Sequence, residues 1–399
     1  MPQRNDTQPE LCRSVPALIS RSLASIDNMS AEAAATARQT LPNQARIVGA
    51  KRMSKTPRPS RRTPATMSEV AALAGVSPKT VSNVVNNYEH VRPETRARVE
   101  KAIQQLDYQV NASARSLRSG RAGVIGLVLP ELALPYFAQL ADAVMAGANR
   151  RGISVIVETA GGSRDRELES LRAPRRGLTD GLIFSPLEMT QNDVGALNVE
   201  YPLVLLGERI FGGPVDHVTM ANVEGARAAT KHLLDRGCRR IAVVGTHANE
   251  KQGSAALRLQ GHLEALHERG VIPDPNLMIE AGLWHRKSGA EATSRLINSG
   301  VEFDAIFALN DALALGALHT LALRGVAVPQ EVKVIGFDDI EESAYSAPTL
   351  STVSPGSKEI AEKALEMLME RIENPDSDLA PRLYIAPFKI EERQSTSTS

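Results

Sequence analysis

The sequence is short of cysteine, of aromatics and of any net charge, and each shortage removes a class of protein. Only two cysteines, Cys12 and Cys238, occur in 399 residues. They cannot make a disulfide framework or, by themselves, a zinc site, which fits a reducing cytoplasm. Aromatic residues make up 4% of the chain, with a single tryptophan, Trp284. No apolar run approaches the roughly 20 residues needed to span a bilayer. Residues 1–30 carry Arg4, Asp6, Glu10, Arg13, Arg21 and Asp27, which interrupt any apolar region of a secretory signal. A cytoplasmic protein is therefore the expectation.

Enzyme signatures are missing as well. There is no Walker loop and no G-x-G-x-x-G. Gly161-Gly162-Ser163-Arg164-Asp165 fails the G-x-S-x-G nucleophile elbow at its last position. His262 and His267 lie on either side of Glu264, but at that spacing they do not share a helix face, so a zinc-protease site is not expected. The chain reads as a non-enzyme without metal or cofactor.

What is present is an uneven distribution of charge. The chain holds 46 Lys/Arg and 46 Asp/Glu. Residues 1–121 carry 19 basic against 9 acidic side chains, and residues 122–399 carry 27 against 37. A basic head on an acidic body suggests nucleic-acid contact at one end, although a basic disordered tail would give the same count. Residues 1–64 mix Ala, Ser, Arg, Gln and Pro without periodicity, and Lys51–Arg62 holds six basic residues and no acid. Such a stretch buries too little to offset its ordering entropy. It either touches DNA phosphates or is an inert tail; we favour the inert reading.

From Thr66 the pattern changes. Thr66-Met67-Ser68-Glu69 is a capping box. It opens a short helix through Val70, Ala71, Leu73 and Ala74, which Gly75 ends. Ser77-Pro78 restarts a helix, with Thr80, Val81, Val84 and Val85 along one side. Pro93 starts a third, through Val99, Ile103 and Leu106. Two short helices joined by a tight glycine turn, with a third behind, predict a helix-turn-helix over residues 65–110. Asn111 caps a possible short helix over 111–119, whose one large apolar side chain is Leu117. It has no core of its own and is expected to fold only when held.

After Gly123 the chain alternates in the α/β manner. Val124–Leu129, Val155–Val157, Leu182–Phe184, Leu203–Leu206, Ile241–Val244, Ile306–Leu309 and Val334–Gly336 read as buried strands. Phe137–Arg151, Gly225–Asp235, Leu257–Glu268, Ala312–Leu323 and Lys358–Arg371 read as helices, and Gly152, Gly237, Gly270, Gly300 and Gly325 as helix ends. The repetition predicts parallel sheets wound on both faces, too long for one sheet, hence two lobes and a cleft over residues 122–393. Residues 394–399 are expected to be a disordered tail.

Several stretches resemble the lactose/galactose repressor family of bacterial transcription regulators. They are Glu69 to Asn86, Leu106-Asp107-Tyr108, Asn111 to Leu117, Gly181-Leu182-Ile183, Arg239-Arg240-Ile241-Ala242, Asn310 to Gly316 and Val334 to Asp339. The likeness covers about residues 65–393. It implies a helix-turn-helix joined to a two-lobed, periplasmic-binding-protein-like domain. It also implies a dimeric, ligand-switched repressor on a palindromic DNA operator, released by its effector in the commoner mode of the family or needing it as a co-repressor in the other, a choice that the sequence does not make.

A recognition helix presents its N-terminal residues to base edges. Here these are Pro78, Lys79 and Asn83, with Lys79 suited to guanine and Asn83 to adenine. Ser77 and Thr80 would contact phosphate or cap the helix. Many relatives have Arg where Asn83 stands, so the half-site is expected to differ from the commonest one. The resemblance makes residues 111–121 a hinge. Leu117 would be a minor-groove wedge, and Asn111, Ala114, Arg115 and Arg118 its DNA-facing neighbours. In the cleft it implies Tyr136, Phe137, Arg258, Trp284, Asn310 and Asp338 around a small polar effector, most often a sugar. Arg, Asn and Asp can bond hydroxyls, and Trp284 can stack on a ring. Each has a plainer alternative: Arg258 in a surface ion pair, Asp338 capping a loop, Trp284 in the core. Leu134 and Ala221 stand where relatives often have Asn or Asp, which removes polar groups near the cleft. A sugar-binding protein of the same two-lobed fold without operator function is the rival reading. It would need a secretion signal and no helix-turn-helix. No leucine heptad follows Arg371, which disfavours a tetramer held by a coiled coil.

Overall fold

The computed structural model describes residues 65–85, 88–108, 121–172, 178–248 and 250–397. The expectations for the basic extension over residues 1–64 and for Asn111, Ala114, Arg115, Leu117 and Arg118 lie outside the described residues.

The capping box forms as the sequence predicts. Glu69 N donates to Thr66 Oγ1, and the Glu69 carboxylate accepts from Thr66 N at 2.6 Å. Together they open α1 (Met67–Ala74), which Gly75 closes with φ 65°. α2 (Pro78–Val85) begins with Thr80 N donating to Ser77 Oγ at 3.1 Å. α3 (Pro93–Gln105) has its proline in the first turn, where no amide hydrogen is needed. Val70, Ala71, Ala74, Val81, Val84, Val99, Ala102 and Tyr108 form a small core among the three helices.

In the two-lobed body, the chain runs through β1 (Val124–Leu129), α4 (Pro135–Arg150), β2 (Ser154–Thr159), α5 (Arg164–Arg172), β3 (Leu182–Phe184), β4 (Leu203–Leu206) and β5 (Asp216–Met220). It continues through α6 (Asn222–Asp235), β6 (Ile241–Thr246), α7 (Ser254–Glu268), β7 (Met278–Glu280), α8 (Arg286–Ser299), β8 (Ala305–Ala308), α9 (Asp311–Leu323) and β9 (Lys333–Phe337). α10 (Glu341–Tyr345), β10 (Ser351–Ser354), α11 (Ser357–Glu373), β11 (Leu383–Ala386) and β12 (Lys389–Glu391) complete it.

Two sheets result, ordered β11-β5-β4-β3-β1-β2 and β12-β10-β9-β8-β6-β7. Every pairing is parallel except β10 with β12. The chain passes between sheets at 220–222, 354–357 and 386–389, so each lobe is built from separated segments. In the first lobe, α11 packs with α4 and supplies Ile360, Ala364, Leu365 and Leu368 to the core. Asp216 in β5 is gripped by Arg371 from α11 at 3.0 Å and by Arg382 at 2.9 Å, which holds the returning segment to this sheet.

Sequence reading missed β5, β7, β10, β11 and β12. β5 and β10 carry buried polar residues (Asp216, His217 and Thr219; Ser351 and Thr352), so no apolar run marks them. β7, β11 and β12 are short edge strands with exposed positions. The expected tail from Gln394 is corrected by the structure through Ser397. Ser395 and Thr396 are fully buried: Ser395 Oγ donates to Val334 O at 2.6 Å, and Thr396 Oγ1 lies 2.7 Å from His232 Nε2. Hydroxyls that read as a solvated tail instead hydrogen-bond β9 of the second sheet and His232 on α6.

On α7, His262 is buried and His267 exposed, so the two face opposite sides. His262 Nδ1 lies 2.9 Å from Thr230 Oγ1 on α6, and burial pushes its pKa from 6.5 down to about 4. The folded state thus favours the neutral ring, while the unfolded chain takes the proton below about pH 6.5. Stability should fall between pH 6.5 and 4, by on the order of 3 kcal/mol from this residue. Thermal melts at pH 7.5 and 4.5 check this against His262→Gln; an equal acid loss in both proteins sinks it. No helix among the described residues is long and apolar enough to cross a membrane.

Candidate effector cleft and DNA-reading helix

A cleft of about 180 Å3 lies between the lobes at the carboxyl ends of the strands, the usual ligand position in open α/β sheets. It is lined by loops after β1, β3, β4, β6, β8 and β9. All six side chains expected at an effector site line it: Tyr136, Phe137, Arg258, Trp284, Asn310 and Asp338.

Arg258, from α7, is 2% exposed and is the hub of the cleft. Its Nε donates to Asn222 Oδ1 at 2.8 Å, Nη1 to the Leu309 carbonyl, and Nη2 to Met220 Sδ at 3.4 Å. Its guanidinium lies 3.6 Å from the centre of the Phe337 ring and 5.5 Å from that of Trp284. The surface ion pair weighed for it is therefore excluded.

Asp338 follows β9, 3.6 Å from Arg258 Nη1. That is too long for a hydrogen bond, so their attraction is Coulombic. Burial pushes the Asp338 pKa up to about 8 despite Arg258, with Asp311 and Glu208 nearby adding to the shift. Its φ of 121° is strained for any residue but glycine.

The strain is held by Asp311 at the start of α9. This buried carboxylate accepts from Thr352 Oγ1 at 2.6 Å, Ser343 Oγ at 2.7 Å and Ile340 N at 3.1 Å. A Cβ at Gly336 would sit 2.1 Å from its Oδ1. The Asn310-Asp311 and Gly336-Phe337-Asp338 stretches are thus two halves of one packed unit.

Asn310 differs from its expected part as a ligand donor. Its Oδ1 accepts from Leu313 N at 2.8 Å, capping α9, and its Nδ2 donates to the Trp284 carbonyl at 3.1 Å. It thus supports Trp284 as well as lining the cavity. Trp284 Nε1 donates to Gly245 O at 3.0 Å, and the ring is half-buried against the second-lobe core while lining the cleft. Tyr136 and Phe137, in the first turn of α4, meet edge to face with centroids 5.2 Å apart. Leu134 and Ala221 both prove to be N-cap residues, of α4 and α6, without side-chain caps; Leu134 also lines the cleft.

Sequence reasoning missed Glu208, Arg209, Thr219, His247 and Glu250, which carry no motif and meet only through the fold. Glu208 accepts from the Ser254 hydroxyl, and burial pushes its carboxyl pKa up. Glu250 accepts from Ala255 N at 2.9 Å at the start of α7 and hydrogen-bonds His247, whose pKa it raises to about 9. Arg209 crosses from the first lobe to the Gln252 carbonyl at 3.0 Å and to Glu250 at 3.4 Å. Glu131, after β1, lies 3.1 Å from His285 Nε2. These contacts join the lobes at two places. No cluster able to hold a metal ion occurs among the described residues.

On the helix-turn-helix, Ser77, Pro78 and Lys79 are exposed, while Thr80 and Asn83 are partly exposed. Ser77 and Thr80 hydroxyls lie 2.9 Å apart at the helix start, which suits a capping part. Val81 and Val84 are buried, leaving the polar side of α2 available.

Known proteins agree with this architecture. The family described as bacterial regulatory proteins, lacI family, matches residues 66–111, and the periplasmic binding protein-like domain matches residues 230–396. The HTH-type transcriptional repressor PurR of Vibrio atlanticus (strain LGP32) is 30% identical over 336 residues, 84% of this chain and 99% of its own. A solved protein from Sanguibacter keddieii DSM 10542, described as a transcriptional regulator of the LacI family, is 50% identical with a TM-score of 0.66. That match covers 70% of this chain and 100% of the other. The lac repressor dimer bound to operator and the anti-inducer ONPF is 27% identical with a TM-score of 0.71, covering 84% of this chain and 100% of the other. With the likeness running through both the DNA-reading helices and the cleft domain, this chain belongs to the lacI family of bacterial regulatory proteins.

Proposed function

We propose that the protein is a cytoplasmic transcription repressor that grips a palindromic operator as a homodimer and is released by a small sugar-like effector. The observation that carries this reading is the pairing, in one chain, of an exposed recognition helix with a largely apolar cleft that holds Arg258 and Asp338 beside Trp284. Effector binding changes the fit of the two lobes, and the dimer transmits this to the segment joining them to the DNA-reading helices. The coupling is reciprocal: an effector that weakens operator binding binds more weakly when operator is present.

Pro78, Lys79 and Asn83 face the base edges, with Lys79 and Asn83 reading them, while Ser77 and Thr80 set the helix on the backbone. Asn111, Ala114, Arg115, Leu117 and Arg118 form the hinge contact in this proposal, with Leu117 unstacking the operator centre. Leu117→Ala should weaken specific operator binding by a few kcal/mol, about what unstacking and lost wedge contacts involve, and leave ligand binding intact. Operator affinity unchanged in a gel-shift titration would remove the wedge.

The proposal as a whole is tested by selecting bound sequences from a random duplex library, with and without a panel of sugars. A palindrome lost on adding one sugar is the expected result. No preferred sequence under any condition would favour a sugar-binding protein without operator function.

A further inference from the structure

The chain enters the first lobe through a bracket of side-chain bonds. Arg121 Nη2 donates to the Ile372 carbonyl at 2.9 Å and to the Glu373 carbonyl at 3.3 Å, both at the C-terminal end of α11. A cation suits that end, where the last carbonyls lack amide partners and the helix dipole is negative. One carboxylate holds the next two residues: Asp180, just before β3, accepts from Ala122 N at 2.6 Å and from Gly123 N at 2.7 Å. Gly123 then turns the chain into β1 with φ 69°. Three consecutive residues are thus tied to two separate elements.

β1 does not need these ties to form. It pairs with β2 and β3, and backbone bonds from Asp180 N to Val124 O and from Ser154 N to Gly123 O already fix its start. What the bracket adds is a fixed point of departure for the segment before it. Leu117, four residues earlier, can lie at most about 14 Å from Arg121.

α11 carries this root to the cleft. Its 17 residues span about 25 Å. Ile360, near its start, lines the cleft, and Ala364, Leu365 and Leu368 pack in the first-lobe core. Near its end Arg371 holds Asp216 of β5 at 3.0 Å, so the turn that receives Arg121 is itself anchored to the sheet. A movement of the first lobe at the cleft carries the root with it.

We infer that Arg121 and Asp180 are positioning residues for operator binding: they fix where the hinge leaves the first lobe and so set the half-site spacing that the dimer accepts. The inference rests on the hinge and dimer reading above and extends it to a geometry. The rival part for Arg121 is a direct phosphate contact, which the acidic Asp180 could not share.

The test compares the native full chain with Arg121→Ala and Asp180→Asn, with thermal melts of each. The palindrome recovered by the native protein in the duplex selection above is remade with one and with two base pairs inserted at its centre. Each pair moves the half-sites apart by about 3.4 Å and rotates them by about 35°. In gel-shift titrations the native protein should lose at least about thirtyfold on insertion, the order of one or two mismatched pairs. Both variants should lose no more than about threefold, because a released stretch of a few residues spans the added distance. The slope of log affinity against log salt should stay unchanged in both, whereas a lost phosphate contact would make it shallower by about 0.9 per subunit.

Arg121 is exposed, so its truncation leaves the cores intact, and Arg121→Ala alone decides if Asp180→Asn fails to fold. An Arg121→Ala protein as intolerant of insertion as the native one overturns the inference and leaves the operator reading standing. So does a native protein that already tolerates the insertions. A shallower salt slope in Arg121→Ala, with Asp180→Asn folded and as intolerant as the native protein, overturns it in favour of the phosphate contact. Recovery of no palindrome by the native protein would instead bring down the operator reading, and this inference with it.

Discussion

Arg258→Ala should abolish the effector response and destabilise the fold by about 3 kcal/mol or more, since each buried acceptor left without its donor costs about 1–3 kcal/mol and the deletion strands two, Asn222 Oδ1 and the Leu309 carbonyl. Arg258 is 2% exposed and Asp338 is 7% exposed, so solvent cannot replace the lost contact. Deletion would leave Asp338 without its cation, Asn222 Oδ1 and the Leu309 carbonyl without a donor, and the Phe337 face uncovered. Asp338 already titrates at about 8, and without Arg258 it should rise further. Loss of response therefore has to be separated from loss of fold. Arg258→Lys keeps the charge but not the planar fork that reaches Asn222 and Leu309 together. It should melt closer to the native protein while still failing to respond to effector. A normal effector response in Arg258→Lys, or an alanine variant as stable as the native protein, would show that the hub is not here.

Gly316→Ala should be comparably damaging although it touches no cleft residue. A Cβ at Gly316 would lie 2.0 Å from Arg286 O and 2.7 Å from Ala290 N, both backbone atoms of α8. The contact is mutual, since a Cβ at Gly289 would lie 2.2 Å from Leu313 O. Neither helix can yield by turning a side chain, so they must separate, opening the core around Ala292, Ala314 and Ala317. The expected loss is about 3 kcal/mol or more, the upper end for overpacking. That corresponds to a fall of roughly 6–12 °C in melting temperature for a domain of this size. The start of α9 carries Asn310 and Asp311, so effector affinity should fall as well. A melting temperature within a degree or two of the native protein would mean that the helices are not locked at these glycines.

The positions of glycine and proline made the local structure readable. Gly75, Gly152, Gly237, Gly270, Gly300 and Gly325 all take positive φ at helix ends. The strands buried on both faces, such as Val124–Leu129 and Leu203–Leu206, announced themselves as unbroken apolar runs because helices cover them. β5 and β10 were silent because several of their buried residues are polar, such as Asp216, which Arg371 and Arg382 hold. The same blindness made Ser395 and Thr396 read as tail. A short polar run has no period, and whether its hydroxyls meet water or a carbonyl depends on what the fold brings beside them.

Local sequence determined the capping box at Thr66, the helix-turn-helix, the strand and helix alternation, and six side chains that share one cleft. Those features depend on neighbours in the chain or, for the cleft, on a resemblance in which the motifs travel together. Tertiary structure alone decided what each residue is free to do. Asn310, with both side-chain ends engaged, became a cap for α9 and a support for Trp284. Thr219, from a strand with no signal, became a buried hydroxyl without a hydrogen-bond partner among the described residues. Glu208, Arg209 and Glu250 met across a cleft that exists only because the chain passes between two sheets. Hydrogen-bond saturation and the sign of charge in a shared cavity belong to the assembled neighbourhood, and no segment carries them by itself.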